Sequence, residues 1–554
     1  MENNKITPLA RFWLLLKPDK KEIKNVYIYA FFNGLVSLSL PLGIQAIINL
    51  IQGGSISTSW FVLVTFVIMG ITISGVLQIQ QLKITEYLQQ RIFTRAAFEF
   101  AYRIPRIKLE ALYNHYAPEL MNRFFDVTSV QKGLSKILLD FSAASIQILF
   151  GLILLSLYHP FFIIYSLILI ILVYTIFKLT SAKGLSTSLY ESKYKYKVVH
   201  WLEELARTSV SFKLAGNSEL PMQKVDEYTG DYINSRDSHF RVLKNQYTLM
   251  VIFKVLVSAG LLIVGSLLVM DQQMNIGQFV AAEIIILLVL GAVEKLILSL
   301  ESIYDILTSL EKIGQVTDLE LEKNSGYDFE VKNGGMAIEM LDLSFKYPEQ
   351  TNYILKNVSI VITPGERVLL KGDSNSGKAT LLNLFAGLYT IKEGNLILDT
   401  LPIGNYNPNK LRGSIGDCLM NELLFEGSVM ENITMGREKA SYENVLWAVD
   451  NLELGEFVKR LPLGLDTIYN PQGKQFSKGI VDKIILARSV ADKPKLLLIK
   501  DVFSSFYQEE KNRIFKFLTS DNNDWTLITA SNDKNLLDMM NTVYSVQNKV
   551  ITKI

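Results

Sequence analysis

Val368-Leu369-Leu370-Lys371-Gly372-Asp373-Ser374-Asn375-Ser376-Gly377-Lys378-Ala379-Thr380-Leu381-Leu382 decides how the chain is read. Its apolar opening suits a buried strand, the small residues after Lys371 suit a tight loop, and the apolar run from Lys378 suits a helix. Such a loop turns backbone N–H groups inward and the helix adds its positive end, so the turn forms a nest for phosphate oxygens. Lys378 is placed to reach the β- and γ-phosphates of a nucleotide. The spacing G-x-x-x-x-G-K-[ST] is met everywhere but at the last position, where Ala379 replaces the hydroxyl that ordinarily binds Mg²⁺. Gly372, Asp373, Ser374, Asn375, Ser376, Gly377, Lys378, Ala379 and Thr380 are the candidate nucleotide-binding residues.

Outward from this loop, residues 336–554 alternate short apolar strands with helical stretches and read as a soluble α/β domain. The N-terminal side is different. The chain has 554 residues, of which 49% are hydrophobic and only 20% charged, and the apolar ones gather in the first 300 positions. With a mean hydropathy of +0.23, this is the pattern of a membrane protein with a soluble appendage. Collagenous, disordered and disulfide-stapled classes are excluded, the last because Cys418 is the only cysteine. Fifty-six basic against 54 acidic residues leave a net charge of +2, which gives no electrostatic case for nucleic acid.

Six stretches suit a membrane crossing: 26–51, 60–78, 137–158, 161–177, 248–270 and 278–298. Connections 52–59, 159–160 and 271–277 hold no Lys or Arg, whereas 79–136 and 178–247 are long and basic. The positive-inside rule therefore places the two long connections, both termini and the α/β domain in the cytoplasm. Residues 1–25 carry Arg11 and five lysines around a short apolar stretch and read as an amphipathic interfacial elbow, not a secretory signal. The membrane domain is read as 26–321, with 301–321 continuing the last span, followed by a polar linker at 322–335. Lys254, Glu283, Glu294 and Lys295 lie within or near spans. Lys254 and Glu294 are at similar depth, so pairing would offset both charges, and the deeper Glu283 is a candidate pathway residue.

With six spans ahead of it, the phosphate loop resembles that of a half-transporter of the ATP-binding cassette exporters, and the resemblance covers nearly the full length. Phe345-Lys346-Tyr347-Pro348 resembles the aromatic loop that stacks adenine, 354–365 resembles the strand pair leading to the phosphate loop, and 424–433 resembles the segment after the glutamine loop. Trp201-Leu202-Glu203-Glu204 and Phe212-Lys213-Leu214-Ala215-Gly216 are similar to the second inner loop of peptide- and protein-exporting members. Segments near 107–113 and 213–220 resemble coupling helices. The implied architecture is an α-helical membrane bundle of exporter type plus an α/β P-loop domain that binds ATP.

The chain departs from the family where chemistry is done. Without gaps, the glutamine-loop residue falls on Met420, and the signature falls on Phe476-Ser477-Lys478-Gly479-Ile480. Ser477, Lys478 and Gly479 would then face a partner's nucleotide. After Leu496-Leu497-Leu498-Ile499 comes Lys500-Asp501 where the family has Asp-Glu. A one-residue slip would make Asp501 the metal ligand, at the cost of turning the other strand face toward the site. The D-loop becomes Ser504-Ser505-Phe506-Tyr507, and the switch histidine falls on Ala530 or Ser531, the last histidine of the chain being His239. No catalytic residue is kept intact, Asp501 is the one residual candidate base, and Mg²⁺ loses its expected ligands. The resemblance thus implies nucleotide binding at Tyr347, the 372–380 loop and Lys500 with negligible hydrolysis. Lys500 would substitute a point charge for the metal or, alternatively, make a salt bridge beside an empty site.

These features imply a half-subunit in the lipid bilayer of a bacterial inner membrane, exporting an unidentified substrate. It would pair with a second half-transporter, a heterodimer being favoured over a homodimer with two damaged sites. Two other readings stay open: a non-transporting nucleotide sensor or membrane scaffold, and an active ATPase-coupled exporter.

Overall fold

The computed structural model describes residues 6–52, 58–329, 334–419, 423–471 and 476–554. It divides into two compact units, Met1–Pro105 with His115–Leu319, and Arg106–Asn114 with Glu320–Ile554.

The first unit is helical. Six stretches are long and apolar enough to cross a membrane, within Pro8–Gln52, Thr58–Arg106, Ala117–Ser156, Phe161–Arg207, Leu220–Met270 and Ile276–Thr317. They contain five of the six expected spans in full, and the third ends at Ser156 instead of 158; most of the helices run further at one end or both. Phe161–Arg207, whose apolar part is the shortest by sequence, is a 47-residue helix, about 70 Å long at 1.5 Å per residue against about 30 Å of hydrocarbon. Its Lys-, Glu- and Tyr-bearing half keeps good helix formers beyond the apolar part.

The first span is not one helix, because Lys20–Ser37 and Ser39–Gln52 meet at Leu38. Pro41 follows the break; it has no N–H to donate and its ring crowds the carbonyl one turn earlier. The last helix ends at Thr317, short of the expected 321, and Leu321 instead forms a bridge with Ile107. Ile276–Thr317 holds the middle of the bundle, with Ala281, Ala282, Ile285, Val289 and Val293 fully buried on one side. Ala282, Ile285, Val289 and Val293 share a core with Leu152, Phe253 and Leu261 from two other helices.

The elbow region is a short helix, Pro8–Leu16, capped by Thr7 and followed by a 3₁₀ turn at Lys17–Asp19. Arg11 ties it to Asp318 and Glu311 at the end of the last long helix. Leu9, Trp13 and Leu14 stay exposed. In the bundle, Lys254 Nζ and Glu294 Oε2 pair at 2.5 Å. Glu283 is half-buried and Lys295 exposed.

The second unit is built on a six-stranded sheet in the spatial order Val550–Lys553, Thr542–Gln547, Arg367–Lys371, Thr526–Ala530, Leu496–Lys500, Ile415–Cys418. All pairings are parallel except the one to the C-terminal strand. Covered on both faces, its central strands are continuous apolar runs such as Val368-Leu369-Leu370. A smaller antiparallel sheet joins Leu355–Ile362, Ile338–Phe345, Glu393–Leu398 and Leu401–Pro402. The stretch 354–365 is therefore one strand and its turn, paired with Ile338–Phe345, and not a strand pair in itself.

Candidate functional site

Strand Arg367–Lys371 is flanked on both sides in the parallel sheet and runs into the glycine loop, from which helix Lys378–Phe385 departs. The two glycines are required for different reasons. At Gly372 an added Cβ would lie 2.3 Å from the Val546 carbonyl oxygen, and at Gly377 φ is +105° at the helix N-cap. Asn375 is also left-handed, at φ 63°, which asparagine tolerates better than most residues. Asp373, Ser374 and Asn375 are exposed along the rim. Ser376 Oγ is buried without a hydrogen-bond partner among the described residues.

Lys378 is 8% exposed, and its Nζ donates to the loop's own carbonyls, Gly372 O at 2.6 Å and Asp373 O at 2.8 Å. Burial lowers its ammonium below the ordinary lysine range; Asp501 and Asp373 oppose that shift and Lys500 adds to it. The fields of Lys500 and Asp501 therefore reach Lys378 directly. Ala379 offers no side-chain donor, and Thr380 Oγ1 is bonded to the Tyr347 hydroxyl at 2.9 Å.

Strand Leu496–Lys500 pairs residue by residue with Thr526–Ala530, ending at Lys500 opposite Ala530. Leu496 and Leu498 pack in the core that contains Leu381, Leu382 and Phe385 of the phosphate-loop helix, while Leu497 and Ile499 pack on the other face. By alternation Lys500 continues the first face. Asp501 leaves the strand in a left-handed conformation, φ 43°, donating its N–H to Ala530 O at 3.2 Å. The alternation thus favours Lys500 over Asp501 as the strand residue on the phosphate-loop face, while Asp501 still acts on Lys378 ahead of Lys500. Lys500 makes no ion pair among the described residues, so the salt-bridge alternative finds no partner there.

Ser477 is the N-cap of helix Lys478–Val490 without a side-chain capping bond, and Lys478 and Gly479 form its first turn. A Cβ on Gly479 would meet only ordinary contacts, 3.4 Å to Ser505 O. Lys478, Asp482, Lys500 and Asp501 line one cleft of about 580 Å³. Phe506 of the altered D-loop is buried, as is Phe503 just before it, and Ser505 Oγ donates to Asp482 at 2.6 Å. Met420 lies outside the described residues. Ser531 N–H bonds to Leu370 O at 3.3 Å, closing the sheet where the family's histidine would stand.

Mg²⁺ does not fit this donor set. A P-loop metal is held by the loop hydroxyl and a strand carboxylate, and here those positions carry a methyl group and an ammonium. No group of three or more His, Cys, Asp or Glu able to hold a metal occurs among the described residues.

Sequence reasoning missed the company Tyr347 keeps. Phe345 and Tyr389 meet it edge to face, with centroids 5.2 and 5.3 Å away, and Tyr113 stacks parallel to it. Burial, then Tyr347, Glu110 and Tyr113, push the Tyr389 hydroxyl up to about 12. Segment Arg106–Asn114 is pinned by Lys108 N–H to Glu320 O at 2.9 Å, Glu322 N–H to Arg106 O at 2.8 Å and Thr390 N–H to Glu110 Oε1 at 2.6 Å. The resemblance of 107–113 to a coupling helix was the one available signal, and it did not say which aromatic the segment would meet.

Comparison with known proteins gives this geometry its setting. Residues 355–503 match the ABC transporter family. The chain is 27% identical to the alpha-hemolysin translocation ATP-binding protein HlyB of Escherichia coli O157:H7 over 52% of its length and 41% of that protein's. It is 30% identical to the ABC transporter ATP-binding protein YfiB of Bacillus subtilis over 38% of its length and 36% of that protein's. These matches span well under half of either relative. By contrast, the putative multidrug export ATP-binding/permease protein YgaD of B. subtilis is matched across 99% of this chain and 96% of its own, at 24% identity. The fold matches a bacterial Atm1-family ABC exporter with ATP bound at a TM-score of 0.84, covering 96% of this chain and 95% of that one at 16% identity. The chain carries an ABC transporter nucleotide-binding domain fused to a six-helix membrane domain, in the fold of an ABC exporter.

Proposed function

We propose that this chain is the non-hydrolysing half of a heterodimeric exporter in a bacterial inner membrane, with both termini and the nucleotide domain in the cytoplasm. It binds ATP on its own phosphate loop and leaves the cutting of the γ-phosphate to a partner half-transporter. The observation that carries this reading is Lys500 at the end of its strand, on the face of the phosphate-loop helix, where a carboxylate would have to hold the metal. Ala379 removes the second metal contact, and the positions expected to carry glutamine, glutamate and histidine hold Met420, Asp501 and Ala530 or Ser531. One lost positioning group costs about 10²–10³ in rate.

One further observation fits a dimer. The short helix Ser209–Leu214, between the fourth and fifth long helices, presents Val210 and Leu214, 63% and 84% exposed, with Met222 beyond it at 73%. Apolar tips of this kind are covered by another surface in an assembly. The relatives named for hemolysin translocation and multidrug export make a peptide or an amphipathic small molecule the substrate classes to test first.

Co-purification from the native membrane tests the reading. The expected result is a second half-transporter with a complete phosphate loop and strand carboxylates, whose own Lys→Ala substitution abolishes ATP hydrolysis by the complex while Lys378→Ala here leaves most of it. Recovery of this chain with a kinase or other regulator and no second half-transporter would favour the scaffold reading instead.

A further inference from the structure

The charge pattern at the end of strand Leu496–Lys500 says more than that hydrolysis is lost. In a P-loop site of the usual kind, one lysine, one divalent ion and one strand carboxylate together present a net two positive charges to the triphosphate. Here Lys378 and Lys500 supply two positive charges as ammonium groups, and the carboxylate that acts on Lys378, ahead of Lys500 itself, is Asp501. Asp501, next in sequence, keeps the negative charge of the family's glutamate position.

Burial is costly for the Lys378 ammonium, with Lys500 repelling it and Asp501 and Asp373 attracting it, and its Nζ is turned back onto the carbonyls of Gly372 and Asp373. Those carbonyls belong to the loop that would wrap a phosphate, so they are placeholders for ligand oxygens. Lys500 lines a cleft of about 580 Å³ together with Lys478, Asp482 and Asp501, and it makes no ion pair among the described residues. A triphosphate free of metal matches two point cations. Its magnesium complex brings two further positive charges to a place that already holds an ammonium, and it meets neither a hydroxyl nor a carboxylate to coordinate the ion.

We propose that Lys500 takes the place of the divalent ion, so that this chain binds metal-free ATP in preference to its magnesium complex. The proposal rests on the nucleotide-binding reading above and adds the form of the ligand. It concerns binding alone.

Isothermal titration of the full-length chain in lipid nanodiscs tests it, with ATP titrated in EDTA and again in excess MgCl₂. The expected result is saturable binding in EDTA that magnesium weakens about threefold or more. Lys500→Ala should weaken binding in EDTA about 10- to 100-fold, the range for one charge-assisted bond. The double substitution Ala379→Ser with Lys500→Asp should invert the preference, so that magnesium strengthens binding. ATP bound by the wild type only with magnesium, or equal affinity of Lys500→Ala and wild type in EDTA, overturns the proposal while sparing the nucleotide-binding reading. The absence of heat under both conditions overturns the two together. The wild-type comparison needs no substituted protein, so a variant that misfolds does not rescue the claim.

Discussion

Tyr113 lies on Tyr347 with ring centroids 5.6 Å apart and planes within 16° of parallel, while Gln350 Nε2 donates to the Tyr113 hydroxyl at 2.8 Å. Phe345 and Tyr389 meet Tyr347 edge to face, so Tyr113 holds the flat-on approach a base would use. The backbone of 106–114 is pinned by hydrogen bonds, whereas the Tyr113 ring is 39% exposed and turns about two torsions. A base stacking on Tyr347 would displace the ring into solvent without spreading the segment. A contact that must open before a ligand binds lowers its apparent affinity by the fraction of time it is open.

Tyr113→Ala should therefore tighten ATP binding about 3- to 10-fold, the worth of one aromatic pair. Tripolyphosphate, which has no base, should bind both proteins equally. Titration calorimetry reads both, and weaker ATP binding by the variant would mean that Tyr113 supports the base.

Gly372→Ala should cost the nucleotide domain about 2–4 kcal/mol, because its methyl would sit 2.3 Å from the Val546 carbonyl in a conformation with φ 156°. Gly413→Ala, whose Cβ would come no closer than 3.4 Å to any neighbour, should cost about 1 kcal/mol or less. Thermal unfolding of the pair checks the contrast.

The ammonium form of Lys378 is the one that holds phosphate. Burial lowers its pKa, with Lys500 adding to the shift and Asp501 and Asp373 opposing it, so the neutral form starts to populate below the ordinary lysine value of about 10.4. A group whose charged form binds gives full affinity below its free-state pKa and loses it as pH rises through that value. ATP affinity should be flat near neutrality and fall in the alkaline range before about pH 10.4, with proton uptake on binding there. Calorimetry in buffers of different ionisation enthalpy measures the uptake.

Lys254→Met or Glu294→Gln alone should destabilise the membrane domain by about 2–3 kcal/mol, since each leaves one charge without its 2.5 Å partner. The charge-swapped double variant should recover most of that loss. Unfolding followed in detergent decides it, and equal stability of all forms would show that both groups reach water independently.

Much of this was readable in advance because it is local. Residues 368–382 contain a strand, two obligatory glycines and a helix start within one short stretch, and each span declares itself by its own composition. The break at Leu38 was readable too, had Pro41 been given its steric weight. Strand Leu496–Lys500 was harder, because a strand buried on both faces shows no alternation, and its register became plain only opposite Thr526–Ala530. The Tyr113–Tyr347 stack could not be read at all. Gln350 and Tyr113 are 237 positions apart in sequence, and nothing in either neighbourhood names the other.

The central claim is that the phosphate cradle persists without the groups that cut the triphosphate, and phosphate release by the purified chain, free of any partner, tests it most directly. With saturating ATP and magnesium, the expected rate equals that of the Lys378→Ala variant. Steady release that requires magnesium and disappears on Lys378→Ala would contradict the account.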